Sequence, residues 1–145
     1  MKPRVSRIIW TDWPALLCAV MIPVTWIIGA AYPLISSSAQ FGRSELLSIA
    51  VPVSLVASLM LAWRINRVFR LFSHGRRIRG VIQSIRIVRD RGRLEFGYEL
   101  DGQSVVSWTP IHRSKRVLEL RRLQEVEVLV DPARPKDAIV AQLYV

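Results

Sequence analysis

Two long stretches without a charged side chain constrain everything else this chain can do. Trp13 to Ile35 is a run of 23 such residues, and Leu46 to Trp63 a run of 18. At ~1.5 Å per residue the first makes a helix of ~34 Å, enough for a ~30 Å hydrocarbon core; the second is at the short end for a span. The segment 36–45 between them is short and polar, so the spans are expected to form an antiparallel helical hairpin with 36–45 as its external loop. Of 145 residues, only 80–145 remain for a soluble part, enough for one small domain.

The charge is distributed to match. The net charge of +10 sits on a chain that is 51% hydrophobic. Residues 1–79 hold 10 basic and 2 acidic side chains, and residues 80–145 hold 11 and 9. The excess is therefore concentrated around the spans, which argues against a plain soluble enzyme. Lys2, Arg4 and Arg7 precede the first span, Arg43 alone lies in the loop, and Arg64, Arg67, Arg70, Arg76, Arg77 and Arg79 follow the second. By the positive-inside rule both termini face the cytoplasm across a cell inner membrane, with residues 1–12 as the N-terminal flank. Trp10, Trp13 and Trp63 fall at the cytoplasmic ends, where indoles favour the interface. The competing reading takes residues 1–31 as a signal peptide cut after Gly29-Ala30-Ala31.

Within the spans, Ala50, Ser54, Ser58 and Ala62 recur every four residues and permit close helix packing. Their expected partner is the first span, through Thr25 and Gly29, and the alternative is a homo-oligomer contact. No Asp, Glu, Lys, Arg or His lies in either span, which argues against a pump or transporter acting alone. Cys18 is read as small apolar filler.

Residues 64–79 form a basic amphipathic juxtamembrane segment, in which the second helix is expected to continue past the membrane from Arg64 to His74. Arg64, Arg67 and Arg70 make one stripe, and Ile65, Val68, Phe69 and Phe72 another, a pattern that suits the headgroup level. Gly75 is a natural helix stop. These six arginines are read as a membrane-surface site for anionic lipid, as part of the cytoplasmic anchor. A specific headgroup or partner site and nucleic-acid binding are the alternatives, the last disfavoured because no base-reading module lies beside the cluster.

From Gly80 the period becomes two. Val81, Ile85 and Ile87 are apolar, interrupted by Gln83, and Leu94, Phe96, Tyr98 and Leu100 alternate with polar residues or glycine. Asp101-Gly102 signals a two-residue type I′ hairpin, which pairs Tyr98 with Val105 and Phe96 with Ser107. A third strand runs from Gln103 to Thr109 and ends at Pro110. A short helix falls within 114–123, and a fourth strand carries Val126, Val128 and Val130. Asp131-Pro132-Ala133-Arg134-Pro135 is a rigid structural corner built on Asp131, Pro132 and Pro135, with Asp131 capping the local backbone. A last strand is expected over 138–143. The fold class is thus a two-helix membrane hairpin followed by a small all-β domain, an oligonucleotide-fold or SH3-like partly open barrel or a twisted sheet. A domain this small is expected to lean on the juxtamembrane helix, the membrane surface or a second copy.

The segment from Val126 to Ala138 resembles the closing motif, roughly V-x-V-x-Y-D-P-x-N-P-x-x-A, of uncharacterised bacterial membrane proteins that share domain of unknown function 3592. Val126, Val128, Asp131, Pro132, Pro135 and Ala138 match, whereas Val130 and Arg134 replace the usual Tyr and Asn. Gly80-Val81 and the Tyr98–Gly102 hairpin are also similar, and the resemblance covers about 80–140. Gln124-Glu125 stands where the family often has Gly-Asp, and here both spans precede the domain. The resemblance implies a membrane-tethered β domain and supplies no catalytic residues.

His74, His112 and Cys18 form no known catalytic or metal motif, so no catalytic residue, metal or cofactor is expected. Trp108, His112 and Arg113 near one strand end are candidates for a groove, against the plainer reading of a rim Trp with surface neighbours. The expected function is a non-catalytic inner-membrane protein that presents a small cytoplasmic β domain for protein–protein contact, as an accessory subunit of a membrane complex. Its partners are membrane lipids, an unidentified protein and a second copy of the chain. The alternative is a module for anionic lipid or nucleic acid that uses the juxtamembrane arginines.

Overall fold

The computed structural model describes residues 3–35 and 43–145. A short helix α1 (Val5–Thr11) leads through Asp12 into α2 (Trp13–Ile35), and α3 (Arg43–His74) returns antiparallel to it. Asp12 ends one helix and starts the next: its N–H bonds back to the Ile8 carbonyl, and its own carbonyl accepts the first bond of α2 from Leu16. Both long helices are apolar enough to cross a membrane, and only 6% and 11% of their apolar windows are buried within the protein. A core helix of a soluble protein would be mostly covered. The external loop expected over 36–45 falls largely outside the described residues.

The helices meet along a seam with a mean repeat near 3.5 residues. Ala15 and Cys18 of α2 are buried, with Ile22, Thr25, Gly29 and Tyr32 half-buried. On α3, Ala50 and Ala57 are buried and Ser54 and Leu61 half-buried. Trp26 Nε1 donates to Ser54 Oγ at 3.1 Å across this seam. Thus Ala50 and Ser54 face the first span as expected, whereas Ser58 and Ala62 are exposed. A four-residue step advances 400° around a helix, so such a row drifts ~40° per step off any straight contact line.

Five strands follow: β1 (Arg76–Val88), β2 (Arg91–Leu100), β3 (Gln103–His112), β4 (Glu125–Asp131) and β5 (Arg134–Val140), with α4 (Lys115–Glu119) after β3 and a 3₁₀ turn over Ala141–Leu143. They form one antiparallel sheet in the order β3-β2-β1-β4-β5, curled until β3 and β5 approach. The last seam is joined by side chains. Ser107 Oγ donates to the Lys136 carbonyl at 2.8 Å, and the Tyr98 hydroxyl donates to the Pro135 carbonyl.

The pairing is irregular at two places, between Val130 and Asp131 of β4 and within β1. The register of β1 against β2 slips between Ile82 and Ser84. Gly80 and Ile82 point inward before it, and Ile85 and Ile87 after it, so the apolar parity switches from even to odd. Gln83, which interrupts the apolar alternation in sequence, is the extra residue, and Arg122 Nε caps its carbonyl at 3.0 Å. β1 is thereby long enough to pair with β4 over 76–81 and with β2 over 80–88.

The first hairpin register is as expected: Tyr98 opposes Val105, Phe96 opposes Ser107, and Asp101 and Gly102 have φ of 50° and 79°. Three boundaries differ. The domain begins at Arg76, before Gly80, because Arg76 to Arg79 pair with β4. β3 runs through Pro110 to His112, because β3 ends the sheet and a proline there breaks no ladder on its outer side. β5 occupies 134–140, before the expected 138–143, because Pro132-Ala133 makes a two-residue turn that pairs Asp131 with Arg134.

The core is shared between sheet and helices. Phe96, Ile82, Leu94, Ile111, Val128 and Ile139 are buried together with Ile8 of α1 and with Val68 and Leu71 of α3. The segment after the second apolar run is helical through His74, as expected. It continues α3 without a break, and its apolar stripe seats on the domain.

Candidate functional site at the foot of the hairpin

Where spans and domain meet, charged side chains from three segments distant in sequence converge. Arg64 Nη1 reaches Asp12 Oδ2 at 3.1 Å, with side-chain exposures of 17% and 4%. One turn on, Arg67 contacts Asp137 Oδ1 at 2.6 Å. Arg70 binds Asp137 Oδ2 at 3.1 Å and approaches Asp131 Oδ2 at 3.7 Å. The basic stripe on α3 thus lies against the β4–β5 turn and the start of α2.

Asp12 is the most unusual group here. Burial pushes its carboxyl pKa up, and this outweighs the opposing pull of Arg64 and the smaller effect of the Ala15 N–H. Asp12 Oδ1 and Arg64 Nε are buried without a hydrogen-bond partner among the described residues. Nearby, Tyr144 is fully covered; burial, with Asp12 adding to it, raises its phenol to about 12. Its hydroxyl lies 3.4 Å from Thr109 Oγ1. Arg4 N–H donates to the Tyr144 carbonyl at 3.2 Å, and Thr11 Oγ1 donates to the Leu143 carbonyl at 3.3 Å. The start and end of the chain are thereby joined through α1.

Asp131 plays the part expected of it. Its Oδ1 accepts the Ala133 N–H at 3.0 Å across the turn that holds Pro132. Pro135, two residues on, presents its carbonyl to Tyr98. Farther along β1, Arg76 pairs with Asp101 at 2.9 Å and Arg77 with Glu127 at 3.1 Å, both exposed. Arg79 makes no ion pair among the described residues and helps line a surface groove of about 480 Å³ with Arg77, Glu125, Glu127 and Gln142. Of the six arginines expected to face lipid, five therefore have carboxylate partners within the chain.

Trp108, His112 and Arg113 do not converge. Trp108 is half exposed beneath the Arg93 guanidinium, which lies 4.5 Å from the ring centre. His112 opposes Arg91 across the ladder, and the Arg113 N–H bonds to the Asp90 carbonyl at 3.0 Å. Among the described residues, no group of three His, Cys, Asp or Glu comes together as a metal-ligand set.

Sequence reasoning passed over Asp12 and Asp137. Asp12 carried a signal, because an aspartate directly before Trp-Pro and an apolar run is a helix N-cap pattern. Asp137 carried none, since its partner lies 70 positions away. No family model, curated protein or solved structure matches this chain.

Proposed function

We propose that this is a non-catalytic integral inner-membrane protein whose two spans hold a small cytoplasmic β domain in a fixed pose for contact with another protein, as an accessory subunit of a membrane complex. One observation carries the reading: α3 runs unbroken from the apolar segment into the domain core, where Val68 and Leu71 are buried. A tether that only confines a domain near a membrane needs no such fusion, whereas a display platform gains from it, because a fixed orientation lowers the entropy lost on docking. The Arg64–Asp12 and Arg67–Asp137 pairs lock the same joint. The contact between α1 and the C-terminal residues, with the excess of arginine around it, supports the reading in which both termini lie on the cytoplasmic side.

The alternative, a lipid or nucleic-acid module built on Arg64 to Arg79, is weakened by the internal pairing of those arginines. Membership of the family sharing domain of unknown function 3592 stays part of the proposal, supported by the turn at Asp131-Pro132 and the hairpin at Asp101-Gly102.

The test is mild extraction of the tagged full chain and identification of what co-purifies. A stoichiometric protein retained by wild type and lost on substitutions along the exposed sheet supports the display role. Recovery of the chain alone, or only with a second copy, counts against an accessory subunit. Reporter fusions at Ser38 and after Val145 check orientation, and an external C-terminal reporter would overturn the cytoplasmic placement.

A further inference from the structure

The turn joining β1 to β2 has no part in the joint described above, yet it returns to the membrane level. Past Trp63, α3 continues to His74, eleven residues or ~16 Å at a helical rise. β1 then reverses and runs 13 residues, ~43 Å if straight, so even strongly bent it spans the distance back. It does so: the Arg91 guanidinium sits 5.1 Å from the ring centre of Trp13, the first residue of α2. The Asp101-Gly102 turn, which joins β2 to β3, lies at the other end of β2.

The chemistry of this tip differs from that of the juxtamembrane arginines. Arg86, Arg89, Arg91 and Arg113 are all exposed and make no ion pair among the described residues. Asp90 is the one carboxylate between Arg86 and Arg93. Val88 has 75% of its surface open; it opposes Arg91 in the ladder and precedes Arg89, which is in a left-handed conformation at φ 58°. An exposed apolar side chain flanked in strand and ladder by unneutralised arginines, one of them on an interfacial Trp, fits the boundary between headgroups and acyl chains.

We propose that the β1–β2 turn is a second membrane contact, in which Val88 inserts at the headgroup level while Arg86, Arg89, Arg91 and Arg113 bind anionic phospholipid headgroups. This rests on the membrane-spanning reading of α2 and α3. The contact gives the domain a second attachment to the bilayer besides the α3 joint and makes its pose depend on lipid charge.

The experiment uses the full chain in a Cys18→Ala background, with one environment-sensitive label introduced by Val88→Cys, Ser104→Cys or Val24→Cys. Each is reconstituted into nanodiscs of phosphatidylcholine, with or without phosphatidylglycerol, that carry a shallow nitroxide-lipid quencher. Position 24 controls for the span: absence of quenching there in a deep-quencher arm would overturn the membrane reading itself. With position 24 quenched, the proposal expects quenching at 88 several-fold above that at 104 with phosphatidylglycerol. That excess should fall toward the level at 104 in neutral lipid, in high salt, or on Arg89→Glu with Arg91→Glu. Equal quenching at 88 and 104, or a difference indifferent to phosphatidylglycerol, overturns it. A label at 88 that responds to an RNA oligonucleotide and not to phosphatidylglycerol also overturns it, in favour of nucleic acid.

Discussion

Asp12 shows how one side chain can decide whether two helices and a sheet behave as one body. Its carboxylate is 4% exposed, and its main compensation is Arg64 at 3.1 Å. Removing only the cation leaves a buried, unpaired negative charge, a change that typically costs ~3–5 kcal/mol. Arg64→Gln is therefore expected to lower the thermal midpoint of the full chain in detergent strongly. Asp12→Asn keeps a good helix cap and leaves the cation of Arg64, which at 17% exposure reaches solvent more readily than a 4% exposed carboxylate, so it should cost less, ~1–2 kcal/mol. Equal losses for the two variants would contradict this asymmetry. A pH dependence follows from the raised carboxyl of Asp12. The folded state then holds this proton more tightly than the unfolded state does, so the contribution of Asp12 is most favourable below the ordinary carboxylate range. It is lost as pH rises from that range through the raised folded value. The stability difference, wild type minus Asp12→Asn, should accordingly fall with rising pH across that window; a rise would refute burial as the dominant influence. Such a group was hard to see in sequence, because a charge before an apolar run reads as a flank residue until its partner, 52 positions on, is known. Asp131 was readable because its role is local: an aspartate before proline bonds two residues ahead whatever the rest of the fold does.

The same divide between local and distant information runs through the elements. Both long helices and the register of the β2–β3 hairpin were legible, since an uncharged run and an Asp-Gly turn each act within their own neighbourhood. The bulge at Gln83 was visible as a gap in alternation, but its consequence, a switch of inward parity along β1, depends on pairing with β2. The course of residues 64–74 was legible as a continuation of the second helix, but the surface its apolar stripe would meet was not, because a stripe beside arginines suits a membrane surface and a sheet equally well. Only the partner surface, here β4 and β5, decides. The helix seam gives a test at this scale. Ala57 is 8% exposed between α2 and α3, while Ser58, its neighbour, is open. Ala57→Leu should push the helices apart at ~1–3 kcal/mol, whereas Ser58→Leu should be near neutral. Thermal unfolding of the two variants separates the observed seam, centred on Ala50 and Ala57, from a contact along the four-residue row Ala50, Ser54, Ser58 and Ala62. Greater damage from Ser58→Leu would favour that row, and with it a contact between copies.

At the scale of the whole molecule, the domain does not end where its strands begin. Ile8, Val68 and Leu71 are 0%, 3% and 1% exposed, and all three come from helices outside the sheet. Full burial of each such side chain stabilises by ~1.5–3 kcal/mol. A core of this size rarely supplies more than ~3–5 kcal/mol in total. Removing the helices thus takes away as much as the strands alone provide, and leaves an apolar patch where α3 had been seated. Residues 76–145 expressed alone are therefore expected to lack a cooperative thermal transition above ~50 °C as a monomer. Extending the chain back to Arg64 restores Val68, Leu71 and the pairing of Arg67 and Arg70 with Asp137, and should recover part of the transition. The full chain, with α1 as well, should recover the rest. Cooperative, monomeric melting of 76–145 above that temperature would show that the sheet is self-sufficient and the joint only an attachment. Loss of folding in 76–145 together with partial recovery from Arg64 onward would make the hairpin foot part of the domain's own core. A force or tilt on the spans would then reach the sheet without a flexible linker in between.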